Sequence, residues 1–323
     1  MISIIIPTKN RAEALEKISL PSLVNQTYKE FEVIIWDASD NEGVLRVIEN
    51  FPELNIKYFK APRIGTSSQR NDAINKASGE IYYFIDDDTE LSNDALEAIL
   101  EEFSSSNDEV VGCSPPLISS NVYEGPFLKR ISSFIWKPFT LIFCLPYQSH
   151  YRIVKRSGAP CWPAKDTPGL VQWLQGCSMA FKKEAFKIRS FDERLQNLGP
   201  YAKAEDVVFS YGLFKQGKKL LITRKGWAKH HFAPGGRPQS ETLHASALFS
   251  IYFIWRSLIW PENPCSVVCF FLFLFGFFLQ SLLLSIFRRN LWRLKGFFIG
   301  LKAIRSSELA RRTTMDQTMK NRE

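Results

Sequence analysis

Three consecutive carboxylates, Asp86, Asp87 and Asp88, follow the apolar run Ile81–Ile85. Adjacent carboxylates repel one another, and burying any of them without a partner is unfavourable. On an extended strand end, Asp86 and Asp88 point to one side with their Cα atoms roughly 6.5–7 Å apart. A divalent cation would relieve the repulsion, and hard oxygen ligands select Mg²⁺ or Mn²⁺, which substrate phosphates commonly complete. The triplet therefore indicates a Mn²⁺ or Mg²⁺ site, with an acidic turn that leads into a helix as the alternative.

A second acidic pair, Glu205 and Asp206, begins a helix predicted over 204–216. A carboxylate there can act as a general base that deprotonates a sugar or lipid hydroxyl for attack on an activated carbon. The alternative is that acidic residues simply favour the positive end of the helix dipole. Further on, His230 and His231 precede Gly-Gly-Arg237. An imidazole could complete the metal site and Arg237 could clamp a phosphate, whereas a surface histidine pair is the alternative.

Five more polar residues follow predicted strands or begin predicted helices in the first half of the chain. The first strand precedes Thr8, Asn10 and Arg11, whose side chains could hold a nucleotide, although Asn10 could equally cap the next helix. Asp37 ends the second strand, where a carboxylate could accept the imide N–H of a uracil-like or thymine-like base. Arg70 lies near the start of a helix and is available to a base or a diphosphate. Each of the last two could instead be an ordinary loop or surface residue.

Strand and helix signals alternate along the first 115 residues. The predicted strands cover 2–7, 31–37, 56–59 and 81–85, and the predicted helices cover 12–24, 43–50, 66–77 and 92–104, the last with Ser92 as its N-cap. Further strands are predicted over 171–181, 220–223 and 227–231, whereas 116–170 has no clear order. Near-continuous apolar strands between helices indicate an α/β fold whose mostly parallel sheet has helices on both faces. Ligands bind such sheets at the carboxyl ends of the strands, where the polar clusters fall.

Composition narrows the function classes. The 323 residues carry a formal charge of +8, and 288–323 contains ten Lys or Arg against three Asp or Glu. The rest is nearly neutral, which favours a basic membrane-surface patch and argues against nucleic-acid binding. There is no Gly-x-Gly-x-x-Gly after the first strand and no Walker-type Gly-Lys-Ser/Thr, which argues against a dehydrogenase or P-loop kinase. The six cysteines lack zinc spacing, and the apolar run 2–6 is too short for a signal peptide, so a reduced cytoplasmic location is expected.

The most apolar stretch lies late in the chain. The 23 uncharged residues 265–287 are long enough to span a hydrocarbon core of roughly 30 Å. Upstream, 243–260 is apolar and aromatic, and Pro261 and Pro264 break the chain after it. A single span would carry the basic tail outward, against the positive-inside rule. We therefore expect a hairpin or re-entrant pair with a cytoplasmic tail, or a first segment that lies in the interface; the aromatic patch 131–145 could dock beside it or belong to the core.

Taken together and in order, several runs of the sequence resemble glycosyltransferase family 2, the inverting nucleotide-sugar transferases of GT-A fold. The resemblance covers roughly 1–240 and is carried by Ile-Ile-Ile-Pro-Thr-Lys-Asn-Arg, Val-Ile-Ile-Trp-Asp-Ala-Ser-Asp, Gln-Arg-Asn-Asp-Ala-Ile, Tyr-Phe-Ile-Asp-Asp-Asp-Thr, Gln-Gly-Cys-Ser-Met-Ala-Phe-Lys-Lys, Ala-Glu-Asp-Val and His-His-Phe-Ala-Pro-Gly-Gly-Arg. Two departures are visible: many relatives carry two acidic residues where this chain has Asp37-Ala38, and Cys177 lies where small or amide residues are commoner.

The resemblance implies a role for each matching residue. Donor contacts would come from Thr8, Asn10, Arg11, Asp37, Arg70, Asp86, Asp87 and Arg237. The metal ligands would be Asp88, Asp86 and His231, or His230 in place of His231. The acceptor pocket would be lined by Gly176, Cys177 and Ser178. Catalysis would fall to Asp206 as the base, with Glu205 beside it.

The resemblance also implies a domain plan and a reaction. A GT-A catalytic domain would cover 1–240, with a nucleotide-binding half (1–115) and an acceptor half (116–240). Membrane-associated helices would follow over 241–287, and a basic cytoplasmic tail over 288–323. The implied reaction is metal-dependent, inverting sugar transfer from a nucleoside-diphosphate sugar to a glycan or lipid-linked acceptor in cell-envelope polysaccharide or glycolipid synthesis, on the cytoplasmic face of a membrane. The alternatives are a catalytically silent nucleotide-sugar-binding membrane subunit and a nucleotidyltransferase.

Overall fold

The computed structural model describes residues 1–118, 138–199, 201–233 and 240–307. In the first of these ranges, strands β1 to β7 cover Ile2–Thr8, Phe31–Asp37, Ile56–Lys60, Ile81–Ile85, Thr89–Leu91, Val110–Ser114 and Leu117–Ile118. Helices α1 to α4 cover 12–24, Gly43–Ile48, Thr66–Ile74 and Ala95–Ser105. Helix α1 consists of Ala12–Ala14, a π-helical turn at Leu15–Ser19, and Leu20–Val24. The strand and helix alternation predicted for this part of the chain is present.

The later ranges complete the sheet and add a helical layer. Strands β8 to β14 cover Gln148–Ser149, Ile153–Val154, Pro160–Pro163, Gly169–Val171, Ser178–Lys182, Lys219–Ile222 and Ala228–His230. Helices α5 to α9 cover Ala185–Ile188, Glu205–Lys215, Ser240–Ile254, Val267–Phe287 and Trp292–Ser306. A π-helical turn at Trp255–Ile259 extends α7, and short 3₁₀ helices form at Glu193–Leu198 and Pro264–Ser266.

Eight strands form one large sheet in the order β11-β13-β6-β12-β4-β1-β2-β3. Strands β1, β2, β3 and β4 pair in parallel, and β13 pairs in parallel with β6. Only β12 and β11 run antiparallel to their neighbours within this sheet. The mostly parallel α/β sheet predicted from the sequence is therefore confirmed.

Alternation along each strand divides the sheet into two buried faces. In β1, Ile4 and Ile6 pack on one face with Leu15 and Leu20 of α1, whereas Ile5 packs on the other. Successive side chains on a strand point to opposite faces, so a strand that is covered on both sides is apolar throughout. Helices α1, α2 and α4 contribute to the first face, and α3, α5 and α6 to the second. The helices thus lie on both sides, and the strand ends remain open at the sheet edge.

Two local predictions were wrong. Ser92 does not cap α4: the N-cap residue is Asp94, and the short strand β5 precedes it. Ser92 instead bonds to Trp227 through both backbone and side chain, which joins β5 to the β14 region. The strand predicted over 171–181 is two strands, β11 and β12, because each pairs with a different neighbour across the sheet. The turn between them contains Gly176.

Helices α7, α8 and α9 form a layer beside the second half of the sheet domain. Their buried side chains share one apolar cluster with Trp173, Leu195, Val207 and Tyr211. Pro264–Phe287, which includes α8, is the one helical segment of the described ranges that is long and apolar enough, by length and composition, to cross a membrane. The predictions for Arg237, for 131–137 and for the tail beyond 307 lie outside the described residues. The predicted domain boundaries stay predictions.

Candidate active site

The acidic triplet lies at the carboxyl end of β4, next to the end of β14. The ligand atoms of Asp86, Asp88 and His230 all lie within 4.8 Å of one another. His230 Nε2 is 2.9 Å from Asp88 Oδ1 and 3.7 Å from Asp86 Oδ2. Strand β14 brings the imidazole here because it pairs antiparallel with β5, with His230 opposite Thr89. Two carboxylates and one imidazole thus converge from two strand ends that are far apart in sequence.

The predicted contribution of His231 is corrected by this arrangement. His231 Nε2 lies 2.6 Å from Glu90 Oε2, on the other side of β14. Adjacent residues of a strand face opposite ways, so only one of the two histidines can reach the triplet. The structure gives that position to His230. The backbone N–H of His231 still donates to the Asp88 carbonyl oxygen at 3.0 Å.

Burial and charge set the ionisation of this cluster. Burial disfavours the Asp88 carboxylate, but its contacts with His230 and Arg11 outweigh burial and lower the pKa of Asp88 to about 2. Burial also opposes charge on His230, yet Asp88 and Cys177 raise the pKa of His230 to about 11. The carboxylates therefore require a positive partner, which a protonated imidazole or a divalent cation supplies.

Arg11 and Thr8 hold the remaining oxygens of the triplet. Arg11 donates to Asp88 Oδ2 and lies 2.9 Å from Asp87 Oδ1, while Thr8 Oγ1 donates to Asp87 Oδ2 at 2.7 Å. Burial raises the pKa of Asp87 to about 7, with Arg11 and Thr8 opposing that rise. The Ala233 N–H donates to Asp88 Oδ2 at 2.8 Å. The family resemblance implies that Thr8 and Arg11 contact the donor; in the structure they fix the positions of Asp87 and Asp88.

The residues fit a divalent cation. Asp88 Oδ1 is buried and has no hydrogen-bond partner in the described residues, although it faces His230 Nε2 in an ion-pair contact. Asp86 is about one-third exposed, so one side of the cluster is open to a ligand. Two carboxylate oxygens and one imidazole nitrogen are a donor set suited to Mn²⁺ and leave further positions for phosphate oxygens. The residues that would hold the ion are Asp86, Asp88 and His230.

Arg70 is a buried bridge, although the sequence suggested an accessible donor contact. Its guanidinium is 1 % exposed; it donates to Glu205, to the Gly176 carbonyl oxygen at 3.0 Å and to Asp86 Oδ1 at 3.3 Å. Burial opposes its charge, but Glu205, Asp86 and Asp206 keep the pKa of Arg70 raised. A single cation thus ties the end of β4 to the start of α6.

Asp206 is held by two backbone donors. The Gly176 N–H donates to Asp206 Oδ2 at 2.6 Å, and the Val207 N–H donates to Asp206 Oδ1 at 2.8 Å. Ala204, directly before the acidic pair, has a left-handed φ of 63°, an unfavourable conformation for a residue with a Cβ. Burial raises the pKa of Asp206, and the two backbone donors and Arg70 oppose the rise. Burial likewise raises the pKa of Glu205 to about 8, against the opposing charge of Arg70.

Asp37 and Asn10, which were predicted to contact the nucleotide, form hydrogen bonds to other groups of the protein. Asp37 is fully buried: its Oδ1 accepts from the Ser39 N–H at 2.8 Å and its Oδ2 from the Tyr58 hydroxyl at 3.0 Å. Asn10 pairs with Asp40 through both side-chain atoms, at 2.8 and 2.9 Å. The structure therefore uses Asp37 and Asn10 to shape the loops at the ends of β1 and β2. Gln69, which sequence analysis missed, joins those loops by donating to the carbonyl oxygens of Thr8 and Trp36.

The side chains of Cys177 and Ser178 are buried, contrary to their predicted place in an acceptor pocket. Cys177 is 3 % exposed, and its thiol faces His230. The Ser178 hydroxyl lies 2.9 Å from the Tyr83 hydroxyl, inside the sheet. The structure therefore does not bring these two side chains to a surface that an acceptor could touch. Of the predicted trio, only Gly176 adjoins the acidic pair.

Replacing Gly176 by Ala is expected to lower turnover by about tenfold to a hundredfold while the protein stays folded. A Cβ there would lie 3.2 Å from Arg70 Nη2 and 3.3 Å from Asp206 Oδ2, so these groups would have to shift by a few tenths of an ångström. Small displacements of a positioned catalytic group can cost about 10² in rate. Steady-state kinetics and thermal unfolding of Gly176→Ala would measure both effects. Unchanged kcat would contradict the expectation that turnover depends on the position of Asp206.

Comparison with known proteins identifies the domain. Residues 3–160 match the family model described as Glycosyl transferase family 2. A relative from Campylobacter jejuni, named GalNAc(5)-diNAcBac-PP-undecaprenol beta-1,3-glucosyltransferase, is 33% identical over 115 residues, which are 34% of this chain and 37% of that protein. The chain spans between 26% and 37% of the length of this and two further relatives.

Solved structures agree with the fold. S. aureus TarS 1-349, crystallised with UDP-GlcNAc, superposes with a TM-score of 0.51 at 18% identity over 86% of this chain and 72% of that chain. GalNAc-T7 with UDP, GalNAc and Mn²⁺ gives a TM-score of 0.57 at 17% identity over 82% of this chain and 51% of that chain. These glycosyltransferases share the GT-A architecture predicted from the sequence. Residues 3–160 of the chain thus carry a glycosyl transferase family 2 domain, within a GT-A fold that these solved structures share.

Proposed function

We propose that the protein transfers a sugar from a nucleoside-diphosphate sugar to a hydroxyl of a glycan or lipid-linked acceptor, with inversion at the anomeric carbon. The observation that supports this most strongly is the pairing of two acidic sites at one sheet edge. Asp86, Asp88 and His230 form one, Glu205 and Asp206 form the other, and Arg70 bridges them. A donor diphosphate near the first would place its anomeric carbon toward the second.

In this reaction Asp206 acts as the general base. It accepts the proton of the acceptor hydroxyl as the new bond to the anomeric carbon forms and the bond to the diphosphate oxygen breaks. The N–H groups of Gly176 and Val207 hold the carboxylate in one orientation. Glu205 keeps Arg70 in place and does not itself accept the proton, since the guanidinium occupies its Oε1. Attack opposite the departing diphosphate inverts the configuration.

Negative charge develops on the donor diphosphate as it leaves, and a nearby positive charge stabilises it. A divalent cation held by Asp86, Asp88 and His230 would neutralise that developing charge. Arg11 orients Asp87 and Asp88 so that Asp88 Oδ1 faces His230. Mn²⁺ in the GalNAc-T7 structure supports the same choice of ion, with Mg²⁺ as the alternative.

The acceptor and location are proposed from the comparisons and from the apolar helix. The undecaprenol diphosphate in the name of the Campylobacter jejuni relative supports a lipid-linked glycan of the cell envelope as acceptor. A lipid-linked acceptor requires a catalytic domain at a membrane surface, and Pro264–Phe287 offers the apolar length for such an association. We place the catalytic domain on the cytoplasmic face, where nucleotide sugars are made.

The pH dependence of turnover follows from the raised pKa of Asp206. Only the ionised carboxylate accepts a proton, so kcat/KM falls as the pH falls through this pKa. Because burial raises the pKa, that loss occurs above the ordinary range of aspartate, about 3.9. A pH profile of kcat/KM, with donor affinity measured at each pH, would reveal this acid limb. A profile that stays flat down to the ordinary aspartate range would contradict the assignment.

A donor screen with the detergent-solubilised protein tests the proposed function. UDP-, dTDP- and GDP-sugars are each offered with and without Mn²⁺, and nucleoside diphosphate release is measured alongside thermal shift. Release from one donor that depends on Mn²⁺ and an added lipid-linked acceptor is the expected result. In a parallel reaction that contains a nucleoside triphosphate, pyrophosphate release would instead indicate a nucleotidyltransferase. Stabilisation by a donor with no release for any acceptor would indicate a silent binding subunit.

A further inference from the structure

Helix α8 has one apolar face that is largely exposed in the described residues. Large side chains on this outer face are mostly solvent-exposed: Val268, Phe271, Leu272, Phe275, Leu283, Ile286 and Phe287. Their spacing of three and four residues places them on one side of the helix. Soluble proteins rarely expose so many contiguous apolar side chains unless something covers them.

The opposite face of α8 is attached to the protein along its length. Near its start, Phe270 stacks on Trp255 of the α7 extension with ring centroids 4.2 Å apart. In the middle, Phe143 fills the notch at Gly276, where a Cβ would come within 2.2 Å of it. Toward its end, His244 Nε2 of α7 lies 2.9 Å from Ser281 Oγ. Helix α8 therefore lies alongside the protein and does not project away from it.

Helix α7, which lies beneath α8, is itself packed on the catalytic half of the protein. Arg194 places its guanidinium over Phe253 at 5.1 Å, and a Cβ at Gly158 would come within 2.4 Å of the Ile251 carbonyl oxygen. If α8 crossed a bilayer upright, α7 and the charged surface around Arg194 would have to enter the hydrocarbon with it. Arg194 is paired with Asp192, and burying such an ion pair in hydrocarbon is unfavourable. The packing is compatible with α8 parallel to a membrane surface.

The apolar surface continues beyond α8. Leu141 and Ile142 are exposed directly before Phe143, the residue that fills the Gly276 notch. Phe143 also contacts Phe275 of the outer face, with ring centroids 5.8 Å apart. The outer face and the Leu141–Ile142 tip, together called the apolar seat below, thus form one surface on the same side of the protein.

The basic residues next to the apolar seat indicate an anionic lipid surface as the partner. From residue 264 to residue 307 the sequence has six basic residues and no Asp or Glu, the basic ones being Arg288, Arg289, Arg293, Lys295, Lys302 and Arg305. Arg288 and Arg289 are exposed at the end of α8. A basic border beside an exposed apolar face favours contact with the surface of an anionic bilayer.

We propose that α8 lies in the plane of an anionic lipid bilayer, with the apolar seat in one leaflet and the basic residues at the headgroups, and that it does not cross the membrane. Both ends of α8 then stay on the side that carries the catalytic domain. This replaces the span expected from the sequence, because the sequence could not reveal that one face of the helix is covered by the protein. The inference does not rest on the proposed transfer reaction.

Side-specific labelling tests the orientation. Native Cys265 is exposed at one end of α8, and Leu291→Cys, made in a Cys265→Ser background, places a thiol just past the other end. A membrane-impermeant maleimide should label both thiols in inside-out vesicles and neither in sealed cells, with detergent-opened samples as the full-labelling reference. Labelling of the two ends from opposite sides would overturn the proposal.

Vesicle flotation tests the surface. The purified full-length protein should float with vesicles of phosphatidylglycerol and phosphatidylcholine, and less with pure phosphatidylcholine. Each of Phe271→Asp and Phe275→Asp should weaken binding to the vesicles by about tenfold or more. Each replaces an aromatic side chain that would enter the lipid by a charged one. Leu170→Asp, which changes an equally exposed apolar residue on β11, is the matched control and should bind normally.

Arg288→Gln with Arg289→Gln should remove the preference for phosphatidylglycerol without abolishing binding. Flotation of Phe271→Asp and Phe275→Asp at the wild-type level, with wild-type thermal unfolding, would overturn the role of the apolar seat. Because these variants leave Asp206 and the metal cluster unchanged, turnover on a soluble donor and acceptor separates a failed docking surface from a failed transferase.

Discussion

Asp206→Asn should lower kcat by about 10²–10⁴ while leaving donor affinity within about twofold, because that is the range that positioned general bases typically contribute to rate. The substitution removes the proton acceptor and keeps the side-chain size, but its amide nitrogen cannot accept one of the two backbone N–H bonds that the carboxylate accepts. Arg70 keeps its contacts with Glu205 and Gly176. Asp206 does not belong to the group formed by Asp86, Asp88 and His230. The loss should therefore be confined to turnover.

Nucleoside diphosphate release and calorimetric titration of the unhydrolysed donor measure the two quantities separately. Asp108→Asn, an exposed carboxylate far from the acidic pair in sequence, is the matched control and should behave as wild type. Glu205→Gln offers a second comparison: it weakens the Arg70 ion pair, so thermal stability as well as rate should fall. Wild-type turnover in Asp206→Asn, or equal loss of donor affinity and rate, would move the base to another residue.

The fold was predictable wherever a strand is covered on both faces. Phe31–Asp37, apolar except for Glu32 and its last residue, and the apolar run Ile81–Ile85 are such strands, and the structure has both with the predicted bounds. The strand prediction over 171–181 failed because strand pairing across the sheet was not visible in the sequence. Nothing local in 171–181 shows that Gly169–Val171 pairs with β13 while Ser178–Lys182 pairs with β4 and β6. Long-range partners decide such boundaries, and a single sequence does not name them.

The site was predictable in its composition and less so in its contacts. The sequence identified both acidic clusters because consecutive carboxylates at strand and helix ends are unusual enough to stand out. It could not choose between His230 and His231, since that choice depends on which side of β14 faces the triplet. Nor could it show that Arg70 is buried, because its main partner, Glu205, is 135 residues away in the chain. Side-chain direction and long-range ion pairs are properties of the folded chain.

His230→Ala should reduce Mn²⁺-dependent donor affinity far more than His231→Ala. His230 Nε2 lies beside Asp88 and Asp86, whereas His231 Nε2 is directed to Glu90. Because loss of a residue that merely supports a metal ligand typically costs about 10–100-fold in metal affinity, loss of the His230 ligand should cost at least as much. Asp88→Asn should have a similar effect, since it removes the charge of the most buried carboxylate in the cluster.

Calorimetric titration of Mn²⁺ in the presence of a nucleoside diphosphate compares the variants directly. His231→Ala is the matched control, since it removes the same side chain one residue away and only its exposed pair with Glu90 is lost. If the two variants lost affinity equally, the imidazole would act through the loop and not at the ion. If His231→Ala were the weaker binder, the register of β14 against β5 would have to shift by one residue, which would change the partners of Ala228, Lys229 and His230. Metal affinity therefore tests the register of a strand as well as the identity of a ligand.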